Sequence, residues 1–362
     1  MTESGTHKIL ILGGGFAGVN TAVSLEKRLK GRRDVQVSLV NEENYTVFQP
    51  MLAEVISGSL GIFDTVVPIR DLCPETRLYV RKVERIDLDR KVVVTSHPFH
   101  TELDEIPYDH LVLALGAVEN FSVVRGLTEH GLRFKNLGDA LVLRNHLIHI
   151  LEQADVEGDA DLRRRMLTFV MAGGGFSGVE AIAEMNDYVR GVARRYRNLD
   201  PGEVKMVLLQ SGPRILPELS EGLSLYAQRL LQRRKIDIRL KTRLAAVTAD
   251  EAVLDDGSRI PAKTVVATIG ATPNPALLAL PCRKEGGRIM VDEFLEAPEF
   301  PGVWTLGDCA HVIDHKTGRA CPPTAQYAVR EGRCAAANIL AAIDGKKKRP
   351  FSFASLGMIG AL

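Results

Sequence analysis

Two kinds of apolar pattern alternate along this chain, and their order predicts an α/β fold. Residues 8–12 and 168–172 are short apolar runs of the kind that form buried parallel strands. Glycines follow each run directly, and after them the apolar residues recur with helical spacing. A second apolar run, residues 35–40 and 204–209, follows each helical stretch. The pattern therefore predicts one strand–helix–strand unit of the Rossmann type in each half of the chain.

The glycine segment after the first strand returns in the second half. Residues 11–19 read ILGGGFAGV and residues 171–179 read MAGGGFSGV, so each copy contains G-x-G-x-x-G between a strand and a helix. In a dinucleotide site the first glycine makes the turn, the second lets the pyrophosphate approach, and the third lets helix pack on strand. A glycine turn used only for packing would explain the third glycine of each copy but not the second. The predicted cofactor-binding residues are Gly13, Gly15, Phe16 and Gly18 in the first copy, and Gly173, Gly175 and Gly178 in the second.

A second element is also repeated. Residues 111–117 (LVLALGA) and 265–271 (VVATIGA) are apolar strands that end in Gly-Ala, so Gly116 and Gly270 are further candidates for cofactor contact. Residues 78–94 and 239–260 are rich in β-branched residues, and the latter range contains an Asp-Gly turn signal. We predict that both ranges form small antiparallel additions.

Composition narrows the function. Lysine plus arginine (46) nearly equals aspartate plus glutamate (45), which gives no electrostatic reason to expect nucleic acid as a partner. The five cysteines are scattered, with neither CxxC nor zinc-ligand spacing, so we expect a reducing compartment and no metal site. The N-terminus does not resemble a signal peptide, and no segment reaches the ~18 apolar residues of a membrane span. We therefore expect a cytoplasmic protein, with attachment to a membrane surface left open.

These features resemble the pyridine nucleotide oxidoreductases, flavoproteins in which an NAD domain is inserted into an FAD domain. A third landmark is residues 302–310 (GVWTLGDCA), which resemble the segment that returns to the FAD domain. The resemblance implies that Gly307 and Asp308 contact the flavin, and that the aspartate forms a hydrogen bond with its ribityl chain. The resemblance implies an FAD-binding domain of residues 1–155 and 280–345 and an NAD(P)H-binding domain of residues 156–279. It also implies that residues 346–362 are the start of a truncated C-terminal membrane or interface region.

Within that family the chain is most similar to type II NADH:quinone oxidoreductases. Two segments carry the resemblance, residues 44–52 (NYTVFQPML) and residues 321–332 (CPPTAQYAVREG). The resemblance implies hydride transfer from NADH to FAD and then two-electron reduction of a membrane quinone without proton pumping. It also implies a peripheral protein on the inner face of the cell membrane, attached through its C-terminal region. The oligomeric state is left open, a homodimer included.

The resemblance assigns roles to single residues. Two prolines precede Thr324, a suitable N-cap, so a helix is expected to begin at Ala325 beside the flavin and to carry Gln326 in its first turn. The residue equivalent to Glu180 in the first copy is Asn20. The G-x-G-x-x-G fingerprint therefore does not itself require an acid at this position. In the family this glutamate handles protons or quinone, whereas the alternative is a first-turn acid that complements the helix dipole. Gln49 and Pro50 resemble the loop beside the isoalloxazine ring.

The sequence departs from the family at the ribose-binding acid. Asn41 and Gln210 occupy the end of the second strand in the two halves, where a carboxylate is usual. Glu42 is adjacent in the FAD half and can replace it, but the NAD half has no acid nearby. Because a carboxylate repels the 2′-phosphate of NADP, Gln210 weakens discrimination against NADPH. NADH is the expected donor, with NADPH use left open.

Three other functions remain open at this stage. A sulfide:quinone or disulfide reductase requires cysteines beside the flavin, for which Cys309 and Cys321 are the candidates. A reductase of soluble electron carriers would use the same two cofactors. A non-enzymatic NADH sensor would hold a long-lived reduced flavin and bind a partner. At the C-terminus, the basic residues 346–349 precede an apolar tail, and such a run can contact anionic lipid or form a solvated linker.

Overall fold

A computed structural model describes residues 6–361 of the chain. These residues divide into two compact units, and each unit is built from more than one stretch of sequence. The first comprises the described part of Met1–Thr46, with Val66–Val118 and Thr272–Leu356. The second comprises Val47–Thr65, Glu119–Ala271 and the described part of Gly357–Leu362. The expected α/β class with two Rossmann-like sheets is confirmed.

The first unit contains a parallel five-stranded sheet. Its strand order is Val303–Thr305, His110–Leu113, His7–Leu12, Val35–Asn41 and Arg77–Val80. The helix Phe16–Arg28, here called the first fingerprint helix, follows the central strand, and Ala325–Ile343, the signature helix, packs against it. A three-stranded antiparallel sheet is formed by Lys82–Asp87, Val92–His97 and His100–Pro107. Smaller elements of this unit are the helices Ile69–Leu72 and Pro275–Leu278, the 3₁₀ turn Gly307–Cys309, and the strands Lys284–Glu285, Arg288–Met290 and Ala310–His311.

The second unit repeats this plan. Its parallel sheet has the order Leu132–Arg133, Thr264–Ala267, Thr168–Ala172, Lys205–Gln210 and Ile236–Leu240. The second fingerprint helix, Phe176–Ala193, follows the central strand, and an antiparallel sheet is formed by Leu244–Val247, Glu251–Leu254 and Arg259–Pro261. The other helices are Leu52–Ser57, Leu127–His130, Leu137–Val156, Ala160–Met166 and Glu221–Arg233, with 3₁₀ turns at Gln49–Met51, Ile62–Asp64 and Phe121–Val123.

One prediction about the antiparallel additions was wrong at its edges. Residues 78–80 and 239–240 lie in the parallel sheets, because Val40 pairs with Tyr79 and Leu209 pairs with Arg239 in parallel register. The antiparallel sheets begin only after these strands. The Asp256–Gly257 turn does join two antiparallel strands, and Gly257 has a φ of +83° that suits glycine.

The cores follow from the apolar runs. In each unit the central strand is almost fully buried, since a parallel strand is covered on both faces. Trp304 is fully buried in the first unit, and so is Phe169 in the second. Close packing of the signature helix depends on Gly332, where a Cβ would lie 2.6 Å from the Ala17 carbonyl oxygen. None of the helices in the described range is long and apolar enough to cross a membrane.

The boundaries of the units differ from those of the predicted domains. The long helix Leu137–Val156 belongs to the second unit, although residues up to 155 were assigned to the FAD domain. Its side chain His146 contacts Thr264, a residue of the second sheet, at 2.8 Å. The segment Val47–Thr65 also belongs to the second unit, where the helix Leu52–Ser57 packs on the second fingerprint helix.

Candidate functional site

The three fingerprint glycines of the first unit have different surroundings. Gly13 has a φ of +105°, and a Cβ there would lie 2.2 Å from the Ala114 carbonyl oxygen. A Cβ on Gly18 would lie 1.9 Å from the Gly13 carbonyl oxygen. In contrast, a Cβ on Gly15 would meet nothing within 4 Å. Packing therefore explains the first and third glycines, whereas the open face at Gly15 fits a bound pyrophosphate.

The second unit reproduces this arrangement. Gly173 has a φ of +119°, and its Cβ would lie 2.4 Å from the Thr268 hydroxyl oxygen. A Cβ on Gly178 would lie 1.9 Å from the Gly173 carbonyl oxygen, whereas one on Gly175 would have only the Glu218 carboxyl oxygen nearby, at 3.9 Å. A packing-only role would not make the same position open in both copies. Both copies therefore fit a dinucleotide.

Each fingerprint helix also begins in the way that a phosphate site requires. Gly15 and Gly175 are the N-caps of the two helices, and neither helix has a side-chain cap or an acidic residue in its first turn. The positive end of each helix dipole is consequently not neutralised by a side chain of that turn. Phe16 and Phe176 are the first helical residues and are only partly exposed.

The amides at the positions of the usual ribose-binding acids form hydrogen bonds within the protein. The Asn41 side-chain oxygen accepts a hydrogen bond from the Gly14 N–H at 2.8 Å, and the Gln210 oxygen accepts one from the Gly174 N–H at 3.2 Å. A Cβ on Gly14 would lie 2.8 Å from Asn41 Cγ, so close packing also requires glycine at this position. The oxygens of these amides therefore brace the glycine turns, and their contact with a cofactor stays a prediction. Glu42 is exposed.

Glu180 lies at the fifth position of the second fingerprint helix, so the first-turn interpretation was wrong. Its carboxyl is half-buried, and Oε1 accepts a hydrogen bond from the Ala361 N–H at 3.1 Å. Burial raises the pKa of Glu180 to about 7, the Ala361 hydrogen bond opposes this shift, and the Glu54 carboxyl adds to it. A group with this pKa can both take up and release a proton at neutral pH.

Glu54 is a residue that sequence reasoning missed. It lies on the helix Leu52–Ser57, which packs on the helix that carries Glu180. Its Oε2 atom is buried and has no hydrogen-bond partner among residues 6–361. The only signal in the sequence was its position three residues after the Gln49–Met51 segment of the recognised motif, which is not specific.

The signature helix begins at Ala325, as predicted, with Thr324 at the N-cap position. The threonine side chain makes no capping bond, and its buried hydroxyl has no partner among the described residues. Gln326 lies in the first turn, where its Oε1 accepts a hydrogen bond from the Leu356 N–H at 3.0 Å. The first turn contains no acidic residue, so the helix N-terminus can stabilise negative charge nearby.

The third landmark forms a short turn. Gly307 has a φ of +64° and begins the 3₁₀ turn Gly307–Cys309, which places Asp308 at a partly buried position. The Cys309 thiol accepts a hydrogen bond from the Gly116 N–H at 3.1 Å, so the turn contacts the residues that follow the strand His110–Leu113. Cys309 is fully buried, and burial raises the pKa of its thiol to about 12.

The remaining predicted residues lie in both units. Gly270 has a φ of +76°, and its Cβ would lie 2.6 Å from the Asn120 carbonyl oxygen, so packing alone explains this glycine. Gly116 has a φ of +66° with open space at its Cβ position. Gln49 and Pro50 are exposed on a 3₁₀ turn of the second unit. No group of three or more metal-ligating side chains is present in the described range.

Comparison with known proteins agrees with this geometry. The family profile described as pyridine nucleotide-disulphide oxidoreductase matches residues 7–332. The chain belongs to this family. The matched range includes both fingerprints and the Gly307–Asp308 turn.

The family contains relatives with the expected names. The type II NADH:quinone oxidoreductase NdhA of Mycobacterium tuberculosis is 28% identical over 388 residues, which cover 99% of this chain and 77% of that protein. The type II NADH:quinone oxidoreductase of Staphylococcus aureus is 26% identical over 360 residues, which cover 98% and 87%. A solved structure of NDH2 from Plasmodium falciparum with NADH has a TM-score of 0.87 at 19% identity, covers 98% of this chain and 88% of that one, and shows a shared fold. The resemblance drawn from the motifs is confirmed.

Proposed function

We propose that this chain is an FAD-dependent NADH:quinone oxidoreductase. The observation that carries the proposal is the uncrowded position at Gly15 and at Gly175, each between two glycines that packing requires. Among the described residues, only the Glu218 carboxyl oxygen comes within 4 Å, at 3.9 Å from the Cβ position of Gly175. Bound FAD would accept a hydride from the nicotinamide and return two electrons to a quinone. The names of the M. tuberculosis and S. aureus relatives support the same reaction.

The first unit holds FAD in this proposal. The N-terminus of the first fingerprint helix and the open face of Gly15 would hold its pyrophosphate. Asp308 would hold the ribityl chain. The N-terminus of the signature helix, with Ala325 and Gln326 in its first turn, would stabilise negative charge on the reduced flavin. FAD is favoured over FMN because the fingerprint accommodates a pyrophosphate.

The second unit holds the nicotinamide nucleotide, with its pyrophosphate against Gly175. The strand that ends at Gln210 has no carboxylate to reject a 2′-phosphate, and the Gln210 amide already binds Gly174 and the Arg214 carbonyl. We therefore propose NADH as the main donor and NADPH as a weaker one.

Glu180 supplies a proton in the reduction of the quinone. Reduction of a quinone to a quinol consumes two protons, and a carboxyl whose pKa is about 7 is protonated often enough at neutral pH to donate one. Burial, rather than a strong ion pair, sets this value. Glu180 therefore regains a proton from solvent after each turnover.

The quinone is met at a membrane surface in this proposal. The exposed apolar side chains of the C-terminal segment support it, since Leu356 is 77% exposed and Ile359 is 97% exposed. Two of the four cations in the basic run 346–349 have partners within the protein, which weakens attraction to anionic lipid. Lys348 binds Glu296 and lies over the Trp304 ring, and Lys346 pairs with Asp344 at 3.0 Å.

Steady-state assays test the proposed function. The purified yellow protein should oxidise NADH with a soluble short-chain quinone as acceptor, and more slowly with ferredoxin or a disulfide as acceptor. Gly175→Val should retain flavin but lose NADH oxidation, whereas Gly15→Val should lose flavin. A protein that reduces a small iron–sulfur carrier much faster than any quinone would replace this proposal with the electron-carrier alternative.

A further inference from the structure

Glu331 is a buried acid in the recognised segment of residues 321–332. The proposed reaction gives this residue no role. It lies in the second turn of the signature helix and is only 3% exposed. The burial follows from packing, because the adjacent Gly332 lets the helix approach the Ala17 carbonyl oxygen. A charged side chain seldom occupies such a position without a partner that needs it.

The partner is the turn that carries Asp308. Glu331 Oε2 accepts a hydrogen bond from the Gly307 N–H at 2.7 Å. Gly307 is in the left-handed region, with a φ of +64°, and a Cβ there would lie 3.4 Å from Ala17 Cβ and 3.6 Å from Ala328 Cβ. The turn therefore lies between the two helices, and the carboxyl fixes the direction of its first amide.

The carboxyl of Glu331 is only partly ionised at neutral pH, mainly because it is buried. Burial raises the pKa of Glu331 to about 7, the Gly307 hydrogen bond opposes this shift, Asp308 adds to it, and Arg288 opposes it. Cys321, Tyr327 and Cys334 also lie close enough to Glu331 for its charge to raise their pKa values. A neutral side chain with the same acceptor oxygen should therefore be tolerated.

We propose that Glu331 is a positioning residue for the flavin. Its carboxyl fixes the Gly307 amide and so sets the orientation of the next residue, Asp308. This inference rests on the proposed function, since it assumes that Asp308 contacts FAD. Glu331 itself would not touch the reacting atoms. It would act through the backbone of the Gly307–Cys309 turn. Ala325 and Gln326, in the first turn of the same helix, would contact the flavin directly.

Three variants separate positioning from simple stability. Glu331→Gln keeps an acceptor oxygen of the same shape, and Glu331→Leu removes it. Asn338→Leu is the matched control: Asn338 lies on the same helix, is 1% exposed, and binds the Phe294 and Arg349 backbone, not the Gly307 turn. The measurements are the FAD dissociation constant, the visible circular dichroism of bound flavin, and the melting temperature of each apoprotein.

We expect Glu331→Leu to weaken FAD binding by about tenfold and to change the flavin dichroism, because the part-buried Gly307 amide loses the carboxyl oxygen that accepts its hydrogen bond. Glu331→Gln should restore both, and Asn338→Leu should lower the melting temperature with neither change. Unaltered FAD binding and dichroism in a folded Glu331→Leu protein would overturn the inference, and so would a Gln variant as impaired as the Leu variant. A native protein that binds no flavin would instead refute the proposed function.

Discussion

The Gln210 side-chain oxygen accepts a hydrogen bond from the Gly174 amide at 3.2 Å, so this residue braces the glycine turn of the second unit. Its amide nitrogen donates to the Arg214 carbonyl oxygen at 3.1 Å, which holds the side chain in place. The end of this strand therefore offers the nucleotide ribose no negative charge.

Gln210→Glu should improve discrimination against NADPH. The added carboxylate can still accept from Gly174, and it would repel a 2′-phosphate, so the ratio of kcat/KM for NADPH to that for NADH should fall by about tenfold. Asn41→Asp, the equivalent change in the other half, should leave this ratio unchanged. Equal effects of the two substitutions would show that the second fingerprint does not bind the nicotinamide nucleotide.

Glu180→Gln should slow quinone reduction and flatten its pH dependence. The native carboxyl is protonated below its pKa of about 7, so donation from it fails as the pH rises through that value. We expect turnover at pH 6.5 to fall by about a hundredfold, with the flavin content unchanged. Glu184→Gln, one helical turn further on, is the control and should keep the native profile. A native profile without a loss near pH 7 would exclude Glu180 as the donor.

The hydrogen bond from the Ala361 amide lowers the pH at which this loss occurs. Its hydrogen bond to Glu180 stabilises the carboxylate, so Ala361→Pro, which removes the N–H group, should raise the pKa of Glu180 and move the loss to higher pH. Ala361→Gly keeps the N–H group and should not move it. A shift to lower pH in the proline variant would contradict the assigned hydrogen bond.

The second and third fingerprint glycines should respond differently to valine. Gly15→Val adds a side chain where only ligand is expected, so the apoprotein should melt within about 2 °C of the native one but bind no FAD. Gly18→Val places a Cβ 1.9 Å from the Gly13 carbonyl oxygen and should destabilise the fold itself. Retention of flavin by Gly15→Val would remove FAD from the first unit.

Cys309 should have no redox role. Its thiol is fully buried, has a pKa of about 12 and is bonded to Gly116, so little reactive thiolate is present at neutral pH. Iodoacetamide at pH 7.5 should leave NADH:quinone turnover unchanged, and Cys309→Ser should retain most of it. Complete inactivation by Cys309→Ser with flavin still bound would favour the sulfide:quinone alternative.

The sequence predicted the parts of the fold that local chemistry determines. The strands before Gly13 and Gly173, the helices after them and the start of the signature helix at Ala325 were all correct. Apolar runs and glycine spacing determine these elements within a few residues of chain. The edges of the parallel sheets were wrong because pairs such as Val40 with Tyr79 join distant segments.

The candidate site was harder to predict, because burial and side-chain partners are tertiary properties. Asn41 and Gln210 were recognised as departures, but their bonds to Gly14 and Gly174 depend on the path of the glycine turns. Glu331 was part of a recognised motif, and its position on the buried stripe of the helix was a usable signal. Which turn it would fix could not be read from that stripe.

The most direct test of the account is an anaerobic stopped-flow experiment on the native holoprotein. NADH should bleach the flavin absorbance near 450 nm, and a second mixing with a soluble quinone should restore it in full, with one quinol formed for each NADH oxidised. A flavin that NADH does not bleach, or a reduced flavin that persists in the presence of excess quinone, would contradict it.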